Sequence, residues 1–306
     1  MARREWTWTA KRTEQADLVN QAVDELSDYW PLTLRQVYYR LVVKGIIENT
    51  RSKYNDLSKL VKYMRIDRLL VWNAIEDRTR RVTKKRGNTD SDEYLKEELD
   101  IFLSEYQRCF VQGQVSYVEV WYEKDALSRI FENIAWHFCI RAVVCRGYQS
   151  VTFLNGYRDR ALRAQKQGQL PVILYFGDFD PSGIQMFEAT QETLEKEMNL
   201  TNILYFRIAL NLADIYQYEL PHNPDAVKKS DRRYQKFVKE YGRFAVELDA
   251  LHPATLEKIT INAVEAQFDM GLFNEQKEIE GLERKRLAAL KKHVLKSIDD
   301  FNYKNV

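Results

Sequence analysis

Five apolar residues run unbroken from Val172 to Phe176, the pattern of a strand buried on both faces inside a parallel sheet. Similar short apolar runs at 116–122, 142–145 and 203–209 predict three more strands. Amphipathic stretches fill the intervals: one of roughly 126–138 that Asp125 would cap, one reaching about 167, and one following Gly183. A β-α-β-α-β-α-β order implies an α/β fold, a parallel sheet with right-handed crossovers.

Upstream the period changes to that of helices. Residues 13–29 read as a helix ending at Trp30-Pro31, and Thr33-Leu34-Arg35-Gln36 has the form of a capping box opening a second. That helix runs to Lys44 and stops at Gly45. Leu34, Val37, Tyr38, Leu41 and Val42 make its core stripe, which leaves Tyr39 rotated by about 100° and free to leave the core beside Arg35. Residues 51–69 predict a third helix, apolar at Leu57, Leu60, Val61 and Met64, with Lys53, Lys59, Lys62 and Arg65 elsewhere on it. Leu70–Ile75 could form a short strand or wing, so a winged-helix module and a plain helical domain both fit. A basic run at 78–90 reads as a linker, 92–110 as a connecting helix, and 275–297 as a charged helix. That last helix carries a stripe of Ile279, Leu282, Leu287, Leu290 and Val294, suited to dimerisation or to packing on the body.

The strand at 172–176 leads straight into Asp178 and Asp180, whose i, i+2 spacing puts both carboxylates on one side of extended backbone. Pro181 and Gly183 then force a turn. In an open α/β sheet ligands bind at the carboxyl ends of the strands. Two acids there, with no Lys or Arg in the turn, call for a cation. Mg²⁺, which favours one or two carboxylates plus waters and phosphate, is the natural one, with Mn²⁺ as a substitute. The competing reading has one Asp capping the following helix and the other solvated. Glu123 ends the strand at 116–122, so three acids over fifty residues apart can converge on one rim. Glu119, mid-strand, is a poorer candidate. Arg146 ends the next strand and could meet phosphate. Glu247 and Asp249 repeat the i, i+2 spacing, but Pro253 follows closely, and capping is the expected role.

Charge sharpens the picture. The formal net is only +2, yet residues 1–86 hold 19 Lys/Arg against 11 Asp/Glu and the remainder carries −6. A basic amino-terminal part suggests nucleic acid as partner, with Arg40, Lys53, Lys59, Lys62 and Arg146 as candidate contacts. Cys109, Cys139 and Cys145 and four scattered histidines match neither a zinc spacing nor a disulfide framework. Neither a signal peptide nor an apolar run near 18 residues occurs, so a cytosolic, non-membrane protein is expected.

Glu123-Lys124, Arg146-Gly147 and Asp178-Phe179-Asp180-Pro181-Ser182-Gly183, each after a strand, resemble a Toprim domain. The last motif is similar to that of the topoisomerase VI A subunit and the related meiotic double-strand-break protein. Leu34-Arg35-Gln36-Val37-Tyr38-Tyr39 resembles their tyrosine motif, in the same order along the chain. Ala209-Leu210-Asn211, Tyr218-Glu219-Leu220-Pro221 and Glu247–Leu251 resemble the same subunit's tail. The likeness spans about 30–255. The 74–80 and Lys229-Ser230-Asp231-Arg232 runs look instead like stand-alone bacterial and phage Toprim proteins.

The resemblance implies a winged-helix domain at 1–86, a linker at 87–112, a Rossmann-like Toprim domain at 113–270 and a helical tail at 271–306. It also implies Mg²⁺ held by Asp178 and Asp180, with Glu123 as ligand or general acid/base, acting on DNA, with RNA left open. Tyr39, assisted by Arg35, would be the nucleophile of a transesterification, or water the nucleophile of a hydrolysis. In the resembled enzymes the tyrosine of one subunit meets the metal site of the other, implying a homodimer. Energy coupling would need a separate ATPase partner, since the chain has no Gly-rich ATPase motif. A catalytically silent DNA-binding or assembly protein is the alternative.

Overall fold

The structure is a computed structural model that describes residues 6–76, 87, 89–223, 234–242 and 244–299. The basic run at 78–86 and the Lys229–Arg232 run lie outside the described residues. The chain forms two compact units, one of residues 1–79 with 115–267 and one of 80–114 with 268–306.

In chain order the helices begin with α1 (Ala10–Glu25), α2 (Leu34–Val43), α3 (Arg51–Ile66) and α4 (Ser91–Ile101). Strands β1 (Ser116–Tyr122), β2 (Arg141–Val144), β3 (Leu170–Phe176) and β4 (Leu204–Ala209) then alternate with α5 (Ser128–Phe138), α6 (Val151–Lys166) and α7 (Pro181–Glu192). The chain continues through α8 (Leu212–Gln217), α9 (Tyr234–Tyr241), α10 (Pro253–Glu265) and α11 (Met270–Asp299).

The four strands are parallel in the order β2-β1-β3-β4, as the alternating pattern predicts. Both faces of the sheet are covered, which is why its central strands read as continuous apolar runs. On one face Trp121, Ile173 and Tyr175 pack with Leu154, Tyr157 and Ala161 of α6. On the other, Tyr122 stacks on Phe131 of α5, which meets Phe176. Glu119 is fully buried on the α6 side, where Arg160 of α6 binds both its oxygens, at 2.7 and 3.0 Å. The Tyr117 hydroxyl and the Trp121 indole N–H donate to the same carboxylate, so Glu119 is a structural ion pair.

In the amino-terminal part the capping box forms as expected: the Gln36 backbone N–H donates to Thr33 Oγ1, and the Thr33 N–H to Gln36 Oε1. Gly45 takes φ +69° just past α2. Leu57, Leu60, Val61 and Met64 of α3 are buried, as their spacing predicts. The anticipated wing is not what 70–75 forms. Residues Trp72–Ala74 make a 3₁₀ turn, and Ile75 joins Leu32 in a single parallel bridge. Asp125 likewise opens a 3₁₀ turn, Asp125–Leu127, instead of capping α5 directly.

In the second unit α4 ends at Ile101, nine residues short of the expected 110. Beyond it the backbone leaves helical geometry because side chains of α11 claim it. The Arg108 N–H donates to Glu280, while its guanidinium binds Gln276 and Glu283. Phe110 packs edge-on against Phe273. Along α11, Leu282 and Leu290 are exposed, while Ile279, Leu287 and Val294 are half-buried. Among the described residues no helix is long and apolar enough to cross a membrane.

Candidate functional site

Strand β1 lies between β2 and β3, so the chain runs outward from β1 to β2 and returns past it to β3. The gap between the carboxyl ends of β1 and β3 is therefore a topological switch point, where ligands of open α/β sheets bind. Glu123 follows β1 there, and Asp178 and Asp180 follow β3.

The three acids meet. Glu123 N–H continues the ladder to Phe176 O, and the Asp178 N–H donates to Glu123 Oε2 at 3.1 Å. Asp180 caps α7, with Oδ1 accepting the N–H groups of Ser182 and Gly183 and the Ser182 hydroxyl. Gly183 lies between the Glu123 and Asp180 carboxylates: its N–H donates to Asp180 Oδ1 at 2.7 Å, and a Cβ here would lie 3.3 Å from Glu123 Oε2 and 2.3 Å from the Asp178 carbonyl oxygen. Burial, then the neighbouring charges of Asp178 and Asp180, push the Glu123 carboxyl up to about 7.

The cation beside Asp178 is one the strand-end reading did not include. Lys124 Nζ lies 2.7 Å from Asp178 Oδ2, 2.9 Å from Glu247 Oε2 and 3.7 Å from Asp249 Oδ2. Burial works against its charge, but the Asp178 and Asp249 carboxylates outweigh that and hold its pKa above the usual lysine value. Asp178 Oδ1 accepts the Leu248 N–H, so both its oxygens are engaged. Glu247 and Asp249 are not caps, since His252 caps α10. They bind Lys124 and Arg35, Arg35 Nε lying 2.9 Å from Asp249 Oδ2 and its Nη2 pairing with Glu247. Asp249 is completely buried, and its Oδ1 has no hydrogen-bond partner among the described residues.

Tyr39 does not leave the core. It is 3% exposed, because the turn at 248–250 packs on the α2 face expected to meet solvent and draws Arg35 over it. The Arg35 guanidinium sits 5.7 Å from the Tyr39 ring centre. Burial drives the phenol pKa up; Arg35 opposes this, and Asp249 and Asp178 add to it.

A further residue that sequence reasoning passed over is Arg207, a lone cation in an otherwise apolar strand. Its guanidinium donates to Asp178 O at 2.6 Å and to the carbonyls of Gly177, Gly183 and Leu210, fixing the turn that carries the acids. Arg146 pairs with Asp125 at 2.8 Å and remains largely exposed. Arg40 is held by Glu25, whereas Lys53, Lys59 and Lys62 are exposed on α3.

Among the described residues no group of three or more His, Cys, Asp or Glu side chains is disposed to hold a metal. Lys124 takes one Asp178 oxygen for itself. Among the described residues Glu123 and Asp180 each keep one oxygen without a hydrogen bond, and burial, before the charges of Asp178 and Asp180, raises the Glu123 pKa. Carboxylate oxygens are the donors that a hard cation takes alongside its waters.

Fold and site together define an α/β protein with an acidic, cation-braced cluster at the switch point of a parallel sheet. Neither a family model nor a curated protein sequence matches the chain.

Proposed function

We propose that the protein cleaves nucleic-acid strands in a Mg²⁺-dependent reaction, as a Toprim-like protein with water as nucleophile. The observation that carries this reading is the meeting of Glu123 and Asp180 at Gly183, with Glu123 poised near neutrality. A carboxylate in that range can take a proton from the attacking water, the leaving 3′ oxygen on the opposite side of phosphorus receiving its proton from solvent. Held by Asp180, Mg²⁺ would supply charge neutralisation at a non-bridging phosphate oxygen and leave the Glu123 carboxyl to take the proton. Lys124 and Arg207 hold the Asp178 turn, and so Asp180, in position.

Hydrolysis is favoured over tyrosine transesterification because Tyr39 is buried under Arg35 with a raised pKa, and a protonated phenol is a poor nucleophile. The hydrolytic route also needs no second copy of the chain. Incubation of supercoiled plasmid with Mg²⁺ or Mn²⁺ tests it: nicked or linear product from the native protein and none from Glu123→Gln is the expected result.

One observation favours a second reading, a catalytically silent nucleic-acid-binding protein. Lys124 occupies the Asp178 carboxylate as an internal cation. On that reading salt-sensitive binding persists and no divalent ion yields product.

A further inference from the structure

Beside the acidic cluster, within the same unit, lies a recess of about 660 Å³. That volume falls in the range of ligand sites, roughly 300–1,000 Å³. Its lining includes Lys62 and Arg65 of α3, Trp72, Arg35, and the two acids Glu76 and Asp125. Asp125 is two residues from Glu123, at most about 7 Å along the chain.

Trp72 is unusual for a wall residue. It is 56% exposed, and its neighbours Ile66, Leu69 and Val71 are exposed as well. One face of its ring is backed by the Arg65 guanidinium, 4.4 Å from the ring centre, and Arg65 Nη2 donates to Trp72 O at 3.1 Å. The indole is thus held in a fixed orientation with area to spare. Arg65 Nε is buried without a hydrogen-bond partner among the described residues, a donor lacking its acceptor. Lys59, Lys62 and Arg65 follow one another at three-residue spacing on α3, a ridge of positive charge leading to the indole.

We infer that this recess binds an unpaired nucleotide, its base stacked on Trp72 and its phosphate met by Lys62 and Arg65. A flat, braced aromatic ring beside a row of cations is the arrangement single strands use, because stacking needs a base face that a paired duplex hides. An anionic strand answers the charge; a greasy peptide or a second copy of this chain would answer only the exposed apolar residues. The inference rests on the nucleic-acid reading above and narrows its substrate to strands with unpaired residues next to the scissile phosphate: overhangs, gaps or forks.

The test compares anisotropy titrations of the full-length protein with a labelled oligothymidylate and with a blunt duplex of equal length, at one salt concentration. Trp72→Ala should weaken oligothymidylate binding about tenfold, the scale of one lost stack, and leave duplex binding within about twofold. Trp72→Phe, which keeps a ring, should recover most of the loss and guards against a folding defect. Unchanged single-strand affinity in Trp72→Ala, or equal loss on both ligands, overturns the inference while nucleic-acid binding stands. Native protein that binds neither ligand overturns the underlying reading as well.

Discussion

Glu123 Oε2 accepts the backbone N–H of Asp178 at 3.1 Å, so the ends of β1 and β3 are latched by a carboxylate that lies among other carboxylates. The latch tolerates either protonation state, since the accepting oxygen is present in both. What changes with protonation is repulsion from Asp178 and Asp180.

That repulsion gives stability a pH dependence. Burial and like charge raise the Glu123 carboxyl from 4.5 to about 7, so the folded protein holds its proton more tightly than the unfolded chain. Stability then falls as pH climbs from about 4.5 to about 7, and the full cost is present above that. Glu123→Gln keeps an acceptor for the Asp178 N–H and removes the titration. In metal-free protein it should be more stable than native by about 3 kcal/mol near pH 8, and the gap should close below about pH 4.5. Urea unfolding at both pH values measures it, and a gap independent of pH would show that Glu123 is not the titrating group.

Gly183 sets how closely the acids approach. A Cβ there would lie 2.3 Å from Asp178 O, a backbone atom held by Arg207 and unable to yield. Gly183→Ala should cost roughly 1–3 kcal/mol and abolish cleavage even where the protein remains folded. Circular dichroism melts alongside the plasmid assay separate the two effects; undiminished cleavage would remove this turn from the chemistry.

Lys124 lies within 4 Å of three carboxylates. Lys124→Met leaves Glu247 and the wholly buried Asp249 to Arg35, and Asp178 to Arg207 on its backbone carbonyl. A loss of about 3 kcal/mol is expected, the cost of breaking a buried pair. Millimolar Mg²⁺ should recover part of it, more than it stabilises the native protein, because a site short of positive charge gains most from an added cation. Thermal unfolding with Mg²⁺ and with chelator reads this, and a shift identical in both proteins would place Mg²⁺ away from Asp178.

The sheet and its acidic rim were legible in the sequence because both are local. Strands β1 and β3 are seven-residue stretches, and Glu123, Asp178 and Asp180 sit within four residues of their ends. The brace around them is not local. Glu247 and Asp249 come to Lys124 from over 120 residues away, and nothing in their own neighbourhood separates an ion-pair role from capping. A charge balance offered the available hint, because acids taken out of water require cations and Lys124 adjoins Glu123. Helix periodicity failed for Tyr39 on the same grounds: it shows that a residue is off the core stripe, but not that residues 248–250 will cover that face. The wing was lost because an apolar stretch as short as Leu70–Ile75 has no preferred state until Leu32 and the 3₁₀ turn claim it.

Tyr39 is where the two chemical routes part. Its hydroxyl belongs to a ring that is 3% exposed and lies beneath Arg35, and burial, with the charges of Asp249 and Asp178, disfavours the phenolate more than Arg35 favours it. A nucleophilic role would require Arg35 to release Glu247 and Asp249 and α2 to uncover the ring, exposing the buried Asp249 charge. Water at the Glu123 carboxylate requires neither. Tyr39→Phe should therefore retain plasmid cleavage within about threefold, since the variant alters no group at the rim, and should change stability by less than about 1 kcal/mol, as for a small change that opens no cavity. Products resolved on a denaturing gel with and without protease decide the point. DNA that migrates free of protein in both lanes, from both native and variant, is the hydrolytic signature. Native product retained as a protease-sensitive adduct, and absent in the variant, would make Tyr39 the nucleophile and require α2 to open.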